Sequence, residues 1–148
     1  MSLPMPLADL LDTLGMFTDP VDRSTLLIGY ADKFREVPPT VATRPFPESH
    51  KVPHCESDAY VWVQGDADKR VTLYFAVENP SGVSARALAA ILDSTLSGLP
   101  AGQVAHVTPD IVERIFRQNM SMGKGMGLMS MVGAVQALAR RVDAGQPG

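Results

Sequence analysis

The sequence predicts an α+β fold in which a small antiparallel sheet of two to three strands packs against several α-helices. Two adjacent segments in the middle of the chain have the composition of β-strands, and apolar residues recur at helical spacing on both sides of them. The 148 residues are 45% hydrophobic and 20% charged, so the chain can bury a core without disulfides or structural metal. We therefore expect one domain over residues 1–148, with a core over about residues 7–143 and a short flexible tail.

Two helices are predicted ahead of the strands. Leucines at helical spacing indicate a first helix over residues 6–17, with Gly15 as a stop signal. Asp19 followed by Pro20 is the pattern of an N-cap and first helical residue, and it predicts a second helix over residues 20–35. Five prolines between residues 37 and 53 are incompatible with a continuing helix or a central strand, so we expect an extended loop there.

The sheet is predicted from two segments that are rich in aromatic and β-branched residues. The first covers residues 59–63, and the second, Val71–Val77, alternates larger apolar residues with Thr72, Tyr74 and Ala76. A turn signal at residues 65–68 lies between them and favours antiparallel pairing. We expect one face of this sheet to be covered.

Three further helices are predicted after the sheet. Helical spacing covers residues 84–97, and Thr108 followed by Pro109 repeats the cap-then-proline signal ahead of a short fourth helix. Residues 119–127 are rich in Gly and Met and predict a loop, followed by a last helix over residues 128–142. The glycines are expected to let the backbone turn into this helix and to display Lys124 at its N-terminal edge as a candidate contact.

Charge and cysteine content exclude several classes of function. Thirteen basic and sixteen acidic residues give a formal charge of -3, which argues against nucleic acid or an anionic membrane as the main partner. The single cysteine excludes an intramolecular disulfide and any site that needs several thiolates of this chain. The N-terminus lacks a basic signal-peptide segment, and no stretch approaches the ~20 apolar residues of a membrane span. We expect a cytoplasmic protein.

Cys55 is the strongest candidate for chemistry. A lone cysteine is often a small buried hydrophobe, but Cys55 follows a proline-rich loop and is flanked by charged and polar residues. Lys51 and His54 can favour the thiolate, which is the nucleophilic form of cysteine. The residues alone thus favour a reactive thiol over a packing residue.

Other interpretations of the same residue types stay open at this point. His50, His54 and Cys55 are metal-ligating types, but no fourth donor is evident. Cys55 with His106 and an aspartate has the composition of a cysteine hydrolase, although His106 carries no signature. A cysteine-dependent redox enzyme and a non-catalytic interaction module also fit the sequence.

The segment around Lys124 has two further features. Five methionines between residues 120 and 131 suit core packing, or else a soft-metal or adaptable binding surface. The run Gly-Lys-Gly-Met-Gly over residues 123–127 only superficially resembles a phosphate loop, because glycine follows Lys124 where Ser or Thr would hold magnesium. No nucleotide site is expected.

Three segments, in order along the chain, resemble a known family. Residues 29–39 read Gly-Tyr-Ala-Asp-Lys-Phe-Arg-Glu-Val-Pro-Pro, residues 51–57 read Lys-Val-Pro-His-Cys-Glu-Ser, and residues 121–128 read Ser-Met-Gly-Lys-Gly-Met-Gly-Leu. The second is similar to the pattern Arg-Val-Pro-Gly-Cys-Gln-Ser of the SufE/CsdE family of sulfur acceptors in iron–sulfur cluster assembly. The third resembles that family's Ser-Pro-Ser-Arg-Ser-x-Gly-Leu segment.

The chain departs from the family pattern at several positions. His54 replaces the glycine before the cysteine, and Lys124 replaces an arginine, which keeps the charge but loses bidentate hydrogen bonding. Tyr60 aligns with the family's tryptophan, and Trp62 is expected on the same face of the strand. The segment over residues 78–81 does not resemble the family's sequence before the third helix.

The resemblance implies a SufE-like fold and a sulfur carrier without a cofactor of its own. Cys55 would take persulfide sulfur from a pyridoxal-phosphate cysteine desulfurase of the SufS/CsdA type, stimulate that enzyme, and deliver the sulfur to an iron–sulfur scaffold complex of the SufB type. It would act as a desulfurase partner rather than as a stand-alone enzyme. Lys51, His54 and Lys124 would bind the partner or tune the thiol, and Cys55 is expected to be partly sheltered at a loop tip.

Overall fold

The computed structural model describes residues 3–119 and 122–148, and within them the chain forms six α-helices and one two-stranded sheet. The predicted α+β class is confirmed. The helices are α1 (Met5–Gly15), α2 (Pro20–Asp32), α3 (Val83–Leu96), α4 (Ala101–Val104), α5 (Ile111–Phe116) and α6 (Met122–Asp143), and the strands are β1 (Ala59–Gly65) and β2 (Val71–Val77). Short 3-10 turns cover Glu48–His50 and Arg117–Asn119. Across the described residues, every helix is too short or too polar to traverse a lipid bilayer.

The sheet is an antiparallel hairpin whose register places Ala59 opposite Val77 and Gly65 opposite Val71. Alternate residues point to opposite faces. One face carries aliphatic residues of both strands, together with Phe75, and packs into the main core against α3 and α6. The predicted antiparallel pair is therefore confirmed.

The opposite face of the sheet is also covered, so the prediction of a single covered face is wrong. Tyr60 and Trp62 lie there and pack against Phe46 of the proline-rich segment, with ring centroids 5.2 Å and 5.3 Å from the Phe46 ring. This placement confirms that Tyr60 and Trp62 share a face. The segment over residues 37–53 is thus not only a connector, because it supplies the apolar cover for these rings.

A buried arginine joins the helices on the far side of the main core. Arg23 of α2 is 2% exposed, and its guanidinium donates hydrogen bonds to backbone carbonyl oxygens of two segments. The acceptors are Leu14 in the last turn of α1, Phe17 just beyond that helix, and Arg114 and Ile115 at the end of α5. Carbonyls at helix C-termini lack partners within the helix and carry partial negative charge. Burial lowers the pKa of Arg23, and the nearby positive charge of Arg117 lowers it further.

Two predicted helix boundaries are wrong by three residues or more, and the cap predicted at Thr108 is replaced by Asp110, after which α5 begins at Ile111. The second helix ends at Asp32 rather than at residue 35, because residues 36 and 37 pair with β2: the amide of Val37 donates to the carbonyl of Phe75 at 2.8 Å. The last helix begins at Met122 rather than after a loop over residues 119–127. Glycine weakens an isolated helix by roughly 0.5–1 kcal/mol per residue, and tertiary contacts override that preference here.

Candidate functional site

Cys55 lies in a short loop over residues 53–58, called here the Cys loop, that leads into β1. Backbone hydrogen bonds close the base of this loop. The amide of Val52 donates to the carbonyl of Ala59 at 2.8 Å, and the amide of Asp58 donates to the carbonyl of Cys55 at 3.2 Å. The loop is therefore a closed turn rather than a free segment.

The segment that follows β2 holds the Cys loop from the side. The amides of Glu78 and Asn79 donate to the carbonyls of Asp58 and Ser57, at 3.2 Å and 3.1 Å. These bonds are made by the residues 78–81 in which the sequence showed no family resemblance. Because they use only the backbone, no side-chain pattern could reveal them.

Two arginines anchor this lateral segment in turn. Arg86 of α3 donates to the carbonyl of Pro80 at 2.9 Å. Arg44 of the proline-rich segment donates from Nε to the carboxylate of Glu78 at 2.9 Å and also pairs with Glu36. The Cys loop is thus supported both by α3 and by the proline-rich segment that covers the aromatic face of the sheet.

His54 adopts a left-handed backbone, with φ of 61°. Glycine reaches this region at no steric cost, whereas other L-residues use it rarely. His54 stands where the resembling family pattern has glycine, and the loop keeps a conformation suited to glycine despite the substitution. The side chain of His54 is exposed.

Gly127 of α6 provides the surface on which Cys55 rests. A Cβ at this position would lie 2.9 Å from the Cα of Cys55 and 2.9 Å from the carbonyl oxygen of His54. Both contacts are with backbone atoms, so the loop can approach the helix this closely only because residue 127 has no side chain. The sequence predicts this glycine in a loop that turns into the last helix, and its position within α6 corrects that prediction.

Gly82 makes a similar contact on the other side of the Cys loop. A Cβ there would lie 2.9 Å from Oγ of Ser57 and 2.9 Å from Cγ1 of Val77. The Cys loop therefore sits between the N-terminal end of α3 and the first turns of α6, with a glycine at each contact.

A cleft of about 190 Å³ opens beside the half-buried Cys55. The Cys loop, the segment after β2 and the N-terminal parts of α3 and α6 form its walls. Its lining residues include Cys55, Ser57, Asn79, Ser81, Val83 and Lys124. The structure thus brings Lys124 to the same cleft as Cys55, from the first turn of α6.

Lys51 is directed to the base of the loop. Its amine lies 3.5 Å from the carboxylate of Asp58, and the negative charges of Glu48 and then Asp58 raise the pKa of Lys51. Asp58 is itself left-handed, with φ of 49°. Lys51 therefore forms an ion pair across the loop and helps to close it.

The structure does not bring the metal-ligand candidates together. His50 donates from Nδ1 to the carbonyl of Val61 at 2.9 Å and stacks on Trp62 at 5.4 Å between ring centroids, so it belongs to the aromatic face. Within residues 3–119 and 122–148, no group of three or more His, Cys, Asp or Glu residues is arranged to hold a metal ion.

His106 lies away from Cys55. Gln136 of α6 donates to the carbonyl of Ala105, next to His106, at 3.0 Å. Gln136 is about 14 Å further along the helix than Gly127, on which Cys55 rests, at a rise of about 1.5 Å per residue. A Cys–His pair for hydrolysis is therefore not formed by these two residues.

The methionines divide between core and surface. Met131 is fully buried in the main core, whereas Met126 and Met129 are 53% and 39% exposed. Met120 lies outside the described residues, and the side chain of Met122 is not described. Core packing is thus confirmed for Met131 alone.

Comparisons with known proteins agree with this architecture. The family model "SufE: Fe-S metabolism associated domain" matches residues 8–139. "SufE-like protein 1, chloroplastic/mitochondrial" of Arabidopsis thaliana is 25% identical over 142 residues, which cover 95% of this chain but only 36% of the plant protein. The solution structure of a hypothetical protein from Thermus thermophilus has the same fold, with a TM-score of 0.78 at 24% identity over 95% of this chain and 98% of that one. Because the family model spans most of the sequence, the chain belongs to the SufE family of domains associated with Fe-S metabolism.

Proposed function

We propose that this protein is a sulfur acceptor in Fe-S metabolism and that Cys55 carries the sulfur. One observation supports the proposal most strongly. The only cysteine of the sequence sits half-buried in a backbone-braced loop, at the mouth of a cleft, in a chain of the SufE family. A residue needed only for packing would not require this much support from four separate segments.

The proposed donor is the cysteine persulfide of a pyridoxal-phosphate cysteine desulfurase. The thiolate of Cys55 attacks the outer sulfur of that persulfide, a new sulfur–sulfur bond forms on Cys55, and the bond to the desulfurase cysteine breaks. The desulfurase cysteine leaves as a thiolate. The outer sulfur, now bonded to Cys55, keeps its proton or loses it to solvent. Because sulfane sulfur moves from one thiol to another, no external oxidant or reductant is consumed. Pyridoxal phosphate belongs to the donor enzyme.

The cleft offers a place for the transferred sulfur. N-terminal parts of α3 and α6 border it, and helix N-termini carry free N–H groups and partial positive charge that attract negative charge. Lys124 also lines this cleft and adds a positively charged residue to it. We assign Lys124 to attraction of the anionic persulfide or of the partner, and Lys51 to closing the loop through Asp58.

The proposed recipient is an iron–sulfur scaffold complex. With one cysteine in the sequence, the persulfide on Cys55 cannot be resolved into a disulfide within this chain. The sulfur is therefore retained until another protein's thiol takes it by a second exchange of the same kind. The free desulfurase is returned to its resting state by the first exchange, which should raise its turnover.

Desulfurase turnover tests the proposal. Alanine production from cysteine should rise when the protein is added, and Cys55→Ser should not raise it, because the variant has no thiol to accept sulfur. The serine variant should still bind and should compete with the unmodified protein. Gly133→Ala is a suitable control, because this position is also on α6 but a Cβ there would lie 4.0 Å from the nearest tertiary neighbour, Cγ of Pro109. Equal stimulation by Cys55→Ser and the unmodified protein would exclude the carrier mechanism.

A further inference from the structure

Only one residue of the Cys loop ahead of Cys55 has a backbone that is free to make the turn. The loop is fastened on one side by the hydrogen bond from Val52 to Ala59. Pro53 comes next, and its ring fixes φ near −65° while also restricting the residue before it. The change of direction before Cys55 therefore falls on His54, whose φ is 61°.

The helix beneath the loop enforces this conformation. The carbonyl oxygen of His54 would be 2.9 Å from a Cβ at position 127, so the peptide that joins His54 to Cys55 lies directly on α6. Rotating His54 to an ordinary backbone conformation would move this peptide off the helix. The side chain of His54 is exposed, and among the described residues its ring has no hydrogen-bond partner. Whatever His54 contributes to the seated loop, it contributes through its main chain.

We propose that His54 is a positioning residue whose costly left-handed backbone weakens the seating of the Cys loop and so sets how often Cys55 is exposed to a partner. Only the effect of this exposure on sulfur transfer rests on the function proposed above. A glycine at this position would favour the seated loop. A residue less tolerant of the left-handed region than histidine would favour release.

A graded series of substitutions tests this account by the rate at which iodoacetamide alkylates Cys55. His54→Gly should alkylate about fivefold to tenfold more slowly than the unmodified protein, equivalent to about 1–1.4 kcal/mol at 25 °C. His54→Asn should stay within about twofold, because asparagine and histidine are both enriched in the left-handed region. His54→Ala should alkylate about threefold faster, because alanine lacks that tolerance.

The series distinguishes an effect of the His54 backbone on the alkylation rate from an effect of its imidazole ring. All three variants remove the ring, so a role for the ring predicts a common change, with a common displacement of the pH profile of alkylation. The backbone account predicts that the rates diverge in the order Gly, Asn, Ala while the midpoint of the pH profile stays in place.

Lys69→Gly provides a matched control. Lys69 is also left-handed, with φ of 60°, but it lies in the turn between β1 and β2. That turn is about 20 Å from the Cys loop, at the other end of seven-residue strands that rise about 3.3 Å per residue. Lys69→Gly also removes the hydrogen bond from Nζ to the carbonyl of Asp143 at 2.8 Å, so urea denaturation should show a smaller gain in stability than for His54→Gly. The alkylation rate of Cys55 should change only in the His54 variant.

Sulfur transfer gives the second measurement. With a desulfurase, the KM for the acceptor should rise for His54→Gly and fall for His54→Ala, because the fraction of open loop scales the apparent affinity, and kcat should change less. Equal alkylation rates for the three variants would overturn the inference, even if Cys55 accepts sulfur. Conversely, divergent alkylation without any persulfide on Cys55 would leave the positioning role intact and refute the proposed function.

Discussion

Gly127→Ala is the most informative single substitution for the geometry of the site. The added methyl group would lie 2.9 Å from the Cα of Cys55, whereas carbon atoms normally approach to about 3.5–4.0 Å. Neither that Cα nor the His54 carbonyl can move without moving the loop. Overpacking of this kind costs about 1–3 kcal/mol. The gain in helix propensity from alanine applies to the seated and the released loop alike and cancels.

The released state of the Cys loop should therefore become about 5-fold to 150-fold more populated in Gly127→Ala. The assay is the second-order rate of Cys55 alkylation by iodoacetamide, measured beside urea denaturation. Gly133→Ala serves as the control, since the same substitution in the same helix meets open space and should only stabilise the protein, by up to about 1 kcal/mol. Equal alkylation rates in the two variants would refute the idea that Gly127 seats the loop.

Three further predictions concern the framework around the site. Arg23→Met should lower the free energy of unfolding by about 3–5 kcal/mol in urea denaturation, because it strands helix-terminal carbonyls without a donor; a loss below about 1 kcal/mol would contradict this role. Phe46→Ala should cost about 3 kcal/mol and alter the fluorescence of Trp62, the only tryptophan, because their rings are in contact; unchanged fluorescence would argue against the second core. Burial raises the pKa of Tyr30, so the neutral side chain contributes fully to the free energy of unfolding below a pH of about 10, and this contribution is lost as the pH rises beyond it. Tyr30→Phe should flatten the decline of stability in alkaline urea titrations, and an unchanged slope would contradict the assignment.

The sequence predicted the sheet and most of the helices, and it nominated Cys55 as the candidate site. The alternation of residue types in Val71–Val77 and the helical spacing of apolar residues in α1 and α3 indicate which side chains are buried, because one face of each element is apolar. Cys55 was predicted as the candidate because its flanking residues are polar and resemble a family pattern. These are local signals, contained within a few residues of one another.

The remaining features depend on contacts between distant segments. The start of α6 at Met122 was missed because its glycines are poor helix formers, and only the approach of the Cys loop explains the glycine at position 127. The cover over Trp62 comes from Phe46, in a segment whose prolines indicated only a connector. The four-residue helix α4 was missed because one turn is too short to show a periodicity.

The most direct test of the central claim is an intact mass spectrum of the protein after incubation with a cysteine desulfurase and cysteine, without reductant. We predict a mass gain of one or more sulfur atoms that a thiol reductant removes, and no gain in Cys55→Ser. Absence of the gain in the unmodified protein, with the desulfurase active, would contradict the carrier function, as would an equal gain in the serine variant.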